Sequence, residues 1–202
     1  QGMTASSAGF IVLLNSDTVV TPGWLQNLVA CANSDDSIGL VGPLSNTASW
    51  QSVPDIEADG DWAANSLPQD VTIREMGEAV SAYSSRLYPR ISFLNGFCIL
   101  IKKAVIDRIG HFDEEIFGKG YGEENDYCLR ARKQGFMLAV ADDVFIYHSQ
   151  SKSYGNERRK KLADQAGLAL EKKHGFEVIA AGIEQCRNDK VLMGIRARTK
   201  YG

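Results

Sequence analysis

Short uninterrupted apolar runs alternate with stretches of helical spacing along the first part of the chain. The runs FIVLLN (10–15) and IGLVGP (38–43) have the length and the apolar continuity of central strands covered on both faces. Between them, TPGWLQNLVACAN places apolar side chains three and four positions apart, which predicts a helix. Alternation of buried strands with helices is typical of proteins in which helices cover a central sheet. The pattern therefore predicts an α/β fold.

Longer mixed segments follow in the middle of the chain. Residues 44–69 are polar and rich in turn formers, with little periodicity, so we interpret them as a long surface loop. Residues 70–87 return to helical spacing. Residues 91–103 are typical of a strand interrupted at Gly96, and FMLAVADDVFIYH (136–148) predicts two apolar strand segments separated by the polar ADD.

The last quarter of the chain has a different character. NERRKKLADQAGLALEKKHG predicts a charged amphipathic helix that ends at Gly175, and a weaker helical tail follows it. We therefore divide the chain into a main unit, residues 1–153, and a C-terminal helical extension, residues 154–202. A buried strand at residue 10 needs neighbouring strands, yet little sequence precedes it. We expect the main unit to be an N-terminally truncated part of a longer protein.

Composition and charge exclude several classes of protein. A length of 202 residues suits one domain with or without a tail, and a net charge of −3 gives no reason to expect nucleic acid as a partner. No apolar run approaches the roughly 20 residues that span a bilayer. The cysteines are widely spaced and form no C-x-x-C pair, so we expect buried free thiols in a reducing, cytoplasmic compartment: Cys31, Cys98, Cys128 and Cys186.

The stretch LLNSDT places an acid directly after the first predicted strand. Open α/β sheets bind ligands beyond the carboxyl ends of their strands, and in an extended segment the side chains of Asn15 and Asp17 point the same way. Their oxygen atoms suit Mg²⁺ or Mn²⁺, which often bridge carboxylates to substrate phosphates. A plain turn between strand and helix explains the same residues, and on the pattern alone it is the favoured interpretation.

A histidine and a group of acids carry the other candidate chemistry. His148 ends an apolar strand, where an imidazole can bind a metal or move a proton, although a single histidine is more often structural. In GKGYGEENDYC, glycines precede Glu123, Glu124 and Asp126 at a helix start. The helix dipole stabilises acids in a first turn by about 0.3–1 kcal/mol without any catalysis. The functional alternative is a general base, a partly desolvated carboxylate that takes a proton from a hydroxyl group.

Three separated blocks of the chain occur in one order that resembles a known family. They are FIVLLNSDTVVTPGWLQNLV, FLNGFCILIKKAVIDRIGHFDEEIFGKGYGEENDYCLRARKQGF and VFIYHSQSKSYG. Together they resemble the catalytic half of glycosyltransferase family 2, of the GT-A fold, over roughly residues 1–175. Such enzymes transfer a sugar from a nucleotide-diphosphate donor to an acceptor hydroxyl with inversion. The resemblance implies a GT-A-like mixed sheet flanked by helices, with residues 1–153 as its catalytic and acceptor half. The nucleotide-binding half would be missing, and the chain alone inactive.

The resemblance also implies a role for each matched residue. NSD occupies the place of the family's D-x-D motif, so Asp17 would bind Mg²⁺ or Mn²⁺, and Asn15 would contact the ribose or uracil side of the donor. His148 falls where a second metal ligand is found. EE occupies the place of a Glu-Asp pair whose second acid is the catalytic base, which makes Glu124 the base and Glu123 the fallback.

The substrate contacts follow from the same resemblance. LNGFC resembles the acceptor-side strand, with Asn95 and Gly96 near the sugar, and Asp126 would have a structural or acceptor-facing role. Ser151 and Lys152, in a loop over the donor, would close on the diphosphate. The partners would be a nucleotide-diphosphate sugar, carrying a hexose or a deoxyhexose, and a glycan or lipid-linked acceptor.

Two other functions stay open at this point. Asn15 and Glu124 stand where the family has aspartates, which fits a degenerate GT-A module with a binding or assembly role and no catalysis. A metal-dependent phosphohydrolase that uses NSD would leave the 96–148 block unexplained. We expect a cytoplasmic enzyme of polysaccharide or glycoprotein assembly that faces the inner leaflet of a membrane. Its C-terminal helices would dock to the membrane, to another domain or to a second copy of the chain.

Overall fold

A computed structural model describes residue 3 and residues 6–118, 121–150 and 156–201, and within the last range the side chains of 161–200. The described strands are β1 Phe10–Leu14, β2 Thr18–Val19, β3 Ile38–Leu44, β4 Glu57–Ala58, β5 Asp61–Trp62, β6 Arg90–Ile91, β7 Cys98–Lys102, β8 Met137–Phe145 and β9 Tyr147–His148. The described helices are α1 Trp24–Asn33, α2 Ile73–Tyr83, α3 Lys103–Ile109, α4 Glu114–Phe117, α5 Glu123–Lys133, α6 Asn156–His174, α7 Phe176–Arg187 and α8 Lys190–Tyr201, with a 3₁₀ turn at Ser49–Gln51.

Five strands form a mixed sheet in the order β1-β7-β3-β8-β6. The pair β3 and β8 is parallel, and the other neighbours are antiparallel. Two small two-stranded sheets, β2 with β9 and β4 with β5, lie outside it. The mixed sheet with its helices confirms the predicted α/β fold.

Successive side chains of the inner strands enter different hydrophobic clusters. On β7, Ile99 and Ile101 belong to one cluster, while Cys98 and Leu100 belong to the other. This alternation is expected for a strand whose two faces are both covered. The sheet therefore has a core on each side, one closed by α1 and the other by α3, α5 and the C-terminal helices.

The strand β1 differs from the prediction of a central, covered strand. Within the described part of the chain it pairs only with β7, at the edge of the sheet, and Leu14 is 41 % exposed. An apolar run alone does not distinguish a strand with two neighbours from a strand with one. The strand β3 does occupy the buried position that was predicted.

Two other predictions about the middle of the chain were wrong. The supposed surface loop 44–69 is buried from Leu44 to Val53 apart from a partly exposed Ser49, and contains the 3₁₀ turn and the β4–β5 hairpin. The run 136–148 is one continuous strand up to Phe145, because its acids have partners. Asp142 accepts hydrogen bonds from Ser84 Oγ at 2.8 Å and from the Tyr88 N–H at 2.9 Å.

The C-terminal helices pack on the sheet. Cys186 of α7 and Leu192 of α8 lie in the same hydrophobic cluster as Phe93. Arg196 donates to the carbonyl oxygens of Trp50 and of Ser52. All four cysteines are buried and free, as predicted. Among the described residues, no helix is both long and apolar enough to cross a membrane.

Candidate active site

Strand pairing brings Asp17 and His148 together. Thr18 of β2 lies opposite His148 of β9, and the Ser149 N–H donates to the Asp17 carbonyl at 2.9 Å. His148 Nε2 lies 3.4 Å from Asp17 Oδ1. Residues more than 100 positions apart in the sequence thus meet at the carboxyl end of β1.

The imidazole of His148 is held in one orientation. Its Nδ1 lies 3.1 Å from the Thr47 carbonyl oxygen, and its ring stacks on Phe97 at 5.2 Å. A carbonyl can only accept, so Nδ1 carries the proton and the lone pair of a neutral imidazole lies on Nε2, toward Asp17. Asn46 fixes the backbone from both sides: its Oδ1 accepts from the His148 N–H at 2.8 Å and its Nδ2 donates to the His148 carbonyl at 3.1 Å.

The pair has the donor chemistry of a divalent cation site. A carboxylate oxygen and an imidazole nitrogen 3.4 Å apart can bind one ion in common, and the proton on Nδ1 leaves Nε2 ready for it. Among the described residues, no group of three His, Cys, Asp or Glu side chains converges there. Mg²⁺ and Mn²⁺ commonly complete their coordination with water and substrate phosphates. The residues present therefore fit such an ion.

Asn15 lies at the end of β1 with an exposed side chain. Its N–H donates to the Phe97 carbonyl at 2.9 Å, and its carbonyl accepts from Thr18 Oγ1 at 2.7 Å. Ser16 and Asp17 form a turn, so the side-chain alternation of an extended segment does not apply between Asn15 and Asp17. The turn interpretation of NSDT was correct for the backbone, and it does not conflict with the side-chain chemistry.

A glycine starts the acidic helix α5. Gly122 precedes it with a left-handed φ of 88°. A β-carbon there would lie 3.0 Å from the β-carbon of Ala166 and 3.2 Å from the ring of Phe117. Glycine thus satisfies both the backbone conformation and the close approach of α6.

Glu124 is the acid of α5 that lines a cleft. Burial, and then the negative charge of Glu123, raise its pKa to about 7, although backbone N–H groups partly oppose this. Burial also raises the pKa of Glu123, whose Oε2 is enclosed without a hydrogen-bond partner among the described groups. A carboxyl with a pKa near neutral can accept and release a proton under physiological conditions.

The contacts of Asp126 fit the structural role, one of the two roles predicted for it, and its acceptor-binding role stays a prediction. Its side chain is fully buried, and Arg130 Nε, Lys173 Nζ and His174 Nε2 each lie 2.7 Å from its carboxylate oxygens. Burial raises the pKa of Asp126, but these hydrogen bonds outweigh it and lower the pKa below the usual value. The residue ties α5 to the end of α6.

Asn95 and Gly96 lie beside the acidic helix. Asn95 donates from Nδ2 to Ser49 Oγ at 3.1 Å, and its Oδ1 accepts from the Phe97 N–H at 3.1 Å. A β-carbon at Gly96 would lie 3.6 Å from the Cβ and Cγ atoms of Glu124. Both residues thus border the place where Glu124 enters the cleft, and their acceptor-binding role stays a prediction.

The cleft joins the two halves of the predicted site. It has a volume of about 390 Å³, within the range of small-molecule sites. Its walls include residues from the sheet edge, the 3₁₀ turn, α5, α6 and α7: Ser49, Trp50, Trp62, Asn95, Glu124, Asn125, His148, Gln150, Leu170 and Ile179. Ser151 and Lys152, predicted to contact the diphosphate, lie outside the described residues.

Sequence reasoning missed the contribution of residues 44–69. Asn46, Ser49, Trp50 and Trp62 come from the segment that was interpreted as a surface loop. The two tryptophans, large aromatic residues inside a polar stretch, were the signal that this segment packs against something.

Comparison with known proteins decides the family. The profile of the family described as "Glycosyltransferase like family 2" matches residues 2–167, most of the chain. The chain belongs to this family. Its mixed sheet with flanking helices and a C-terminal helical tail is the GT-A-like arrangement predicted for it.

Several relatives carry names of glycan-building enzymes. The chain is 26 % identical over 189 residues to hyaluronan synthase of Pasteurella multocida, covering 84 % of this chain and 19 % of that protein. It is 23 % identical to chondroitin synthase of Escherichia coli, over 77 % of the chain and 25 % of the relative. It is 24 % identical to N-acetylglucosaminyl-diphospho-decaprenol L-rhamnosyltransferase of Mycobacterium tuberculosis, over 76 % of the chain and 51 % of the relative. The chain thus covers between about a fifth and about half of the length of these proteins.

Proposed function

We propose that this chain is the catalytic and acceptor half of an inverting, metal-dependent glycosyltransferase that uses a nucleotide-diphosphate sugar. The observation that carries the proposal is Glu124, a cleft carboxyl whose pKa is raised to about 7, on the same cleft as His148. Family membership supports the transfer of a sugar. The positions of His148 and Glu124 on one cleft support a donor role for the first and an acceptor role for the second.

Glu124 acts as the general base. At and above neutral pH its carboxylate takes the proton of an acceptor hydroxyl as the oxygen forms the new bond to the anomeric carbon. The bond from that carbon to the diphosphate oxygen breaks on the opposite face, so the configuration inverts. One base is enough for direct displacement, and no protein nucleophile is required.

Asp17 and His148 form the donor end of the site. They would hold Mg²⁺ or Mn²⁺, with Thr47 and Asn46 keeping the imidazole in place. When bound, the ion neutralises the negative charge that the diphosphate gains on leaving. Asn15, beside them at the end of β1, would contact the nucleoside side of the donor.

The substrates are proposed from the relatives. Their names concern hyaluronan, chondroitin and a rhamnosylated lipid diphosphate, so we propose a hexosyl or deoxyhexosyl donor and a glycan or lipid-linked acceptor. The free buried cysteines support a reducing compartment, in line with a cytoplasmic enzyme acting at the inner face of a membrane. Because the chain covers at most about half of these relatives, the assay belongs on the full-length natural protein. The inactivity of the 202-residue chain alone stays a prediction.

The test compares acid-to-amide variants of the full-length protein in a sugar-transfer assay. Glu124→Gln should lower turnover by about 10²–10⁴-fold and leave donor binding intact, because only the proton acceptor is lost. Glu115→Gln, at an exposed acid of α4, is the matched control and should keep full turnover.

The remaining outcomes separate the alternatives. Unchanged turnover in Glu124→Gln with a loss in Glu123→Gln would move the base to Glu123. A wild-type protein that binds donor and acceptor but transfers no sugar would favour the degenerate module, and phosphate release without an acceptor would favour the phosphohydrolase.

A further inference from the structure

Two tryptophans from the segment 44–69 line the same cleft as Glu124. Trp50 of the 3₁₀ turn is 8 % exposed, whereas Trp62 of β5 is 40 % exposed. Their rings meet edge to face, 4.8 Å apart at 87°. A large aromatic ring that stays half exposed inside a concave site has apolar area available to a ligand.

The ring of Trp62 packs against Trp50, and its backbone pairs within the β4–β5 hairpin. The β4–β5 hairpin pairs Trp62 with Glu57, and Glu57 accepts a hydrogen bond from Arg187 Nη2 at 2.8 Å. The guanidinium of Arg187 also lies 6.0 Å from the ring of Trp50, which supports the ring of Trp62 from the side. A rigid contact surface lowers the entropy cost of binding.

Hydrogen-bonding side chains surround this aromatic surface. Ser49, Asn95 and Asn125 line the same cleft, next to the carboxyl of Glu124. A pyranose ring presents C–H groups on its face and hydroxyl groups at its edge, so it needs an apolar plane with polar groups around it. The cleft offers both, whereas a prenyl or acyl chain would use only the apolar plane.

We propose that Trp62, supported by Trp50, is the stacking platform for the terminal pyranose of the acceptor. The platform holds the ring so that one edge hydroxyl reaches Glu124, and in that respect it rests on the proposed function. It adds the substrate class: the acceptor presents a sugar ring with an unhindered C–H face, whatever lies beyond that ring.

The test measures sugar binding directly, without any chemistry. Saturation-transfer NMR of the full-length protein uses methyl α- and β-glycosides of glucose, galactose, N-acetylglucosamine and rhamnose as probes. In the wild type, ring C–H protons of at least one glycoside should be saturated. Trp62→Ala should weaken that glycoside by about tenfold, comparable to the loss of one stacked ring, and Trp62→Phe should retain part of the affinity.

Tyr83→Ala is the matched control, since Tyr83 is an aromatic residue that is 83 % exposed and does not line the cleft. It should leave glycoside binding unchanged. Equal binding by wild type, Trp62→Phe and Trp62→Ala would overturn the proposal, as would the absence of saturation for every glycoside in the wild type. If Trp62→Ala loses binding while Glu124→Gln still transfers sugar, the platform stands and the base assignment falls. If Trp62→Ala still binds the glycoside while Glu124→Gln loses transfer, the base assignment stands and the platform falls.

Discussion

His148 Nε2 lies 3.4 Å from Asp17 Oδ1, while Nδ1 of the same ring faces the Thr47 carbonyl at 3.1 Å. The carbonyl fixes the proton on Nδ1, so Nε2 and the carboxylate could together hold the proposed cation. Asp17 and His148 are each weak signals in the sequence. In the structure they are neighbours, and the Nε2 atom of the histidine faces the carboxylate of the aspartate.

We expect both members of this pair to contribute to Mn²⁺ binding. Asp17→Ala and His148→Ala should each weaken Mn²⁺ affinity by about 10–100-fold, because each removes one protein ligand or its orientation. Electron paramagnetic resonance of free Mn²⁺ in titrations with each variant measures this without requiring turnover. His111→Ala, at an exposed histidine, is the control. Equal affinities for all four proteins would remove the metal assignment.

The pH dependence of transfer should report Glu124. Its carboxylate is the active form, so the rate should rise with pH through about 7. The charge of Glu123 contributes to that raised pKa, so Glu123→Gln should move the rise to lower pH by up to about one unit while keeping activity. The measurement is a pH profile of kcat/KM. A rise centred near the ordinary pKa of glutamate in the wild type would contradict a buried base.

The charge of Asp126 should contribute to the stability of the folded protein. Asp126→Asn keeps the shape of the side chain but removes the negative charge that binds the cations Arg130 and Lys173 and accepts a hydrogen bond from His174. We expect a loss of roughly 2–4 kcal/mol in the free energy of unfolding at pH 7. Denaturant titration measures it, with Asp107→Asn, at an exposed pair, as the control that changes little.

The sign of its pH dependence gives a second check. The pKa of Asp126 is lower in the folded than in the unfolded protein. The stabilisation by its charge is therefore fully present above the ordinary aspartate pKa, and it is lost as pH falls through the lowered pKa. The gap between wild type and Asp126→Asn should therefore close in acid. A gap of the same size at pH 3 and pH 7 would show that charge is not the cause.

Local patterns predicted the elements whose burial follows from apolar side chains alone. The runs that became β3 and β7, and the helical spacing that became α1, needed no distant partner to be recognised. The motif order predicted the meeting of Asp17 and His148 through the family resemblance. The Thr47 carbonyl and the Asn46 amide orient His148, and no pattern in the sequence around His148 predicts these contacts.

The failures concern polar residues whose partners are far away in the sequence. Gln51 is fully buried because its Nε2 donates to the Pro43 carbonyl and its Oε1 accepts from the Asn95 N–H, both at 2.7 Å. A composition-based interpretation assigned this segment to the surface, since polar residues are usually exposed. The partners of Asp126 could not be predicted for the same reason, because Lys173 and His174 of α6 lie almost 50 positions later in the chain.

The raised pKa of Glu124 has a consequence for stability that can be measured without any substrate. Between the ordinary pKa of 4.5 and the folded-state value of about 7, the folded protein holds the proton that the unfolded chain has released. Stability therefore falls as pH rises across this window, and the loss is complete above it. From the size of the shift, the loss is roughly 3 kcal/mol. Glu124→Gln carries no titrating proton at this position, so it should be the more stable protein at pH 8 and nearly equal to the wild type at pH 5. For a chain of this size the difference at pH 8 corresponds to roughly 6–12 °C in Tm. Thermal unfolding at several pH values measures it, with Glu115→Gln as the exposed control that should follow the wild type throughout.

Parallel curves for wild type and Glu124→Gln from pH 5 to pH 8 would mean that the Glu124 carboxyl is hydrated and titrates normally. A gap that widens with pH, together with the loss of transfer, would mean that the protein tolerates a destabilising buried acid because the reaction needs a base there.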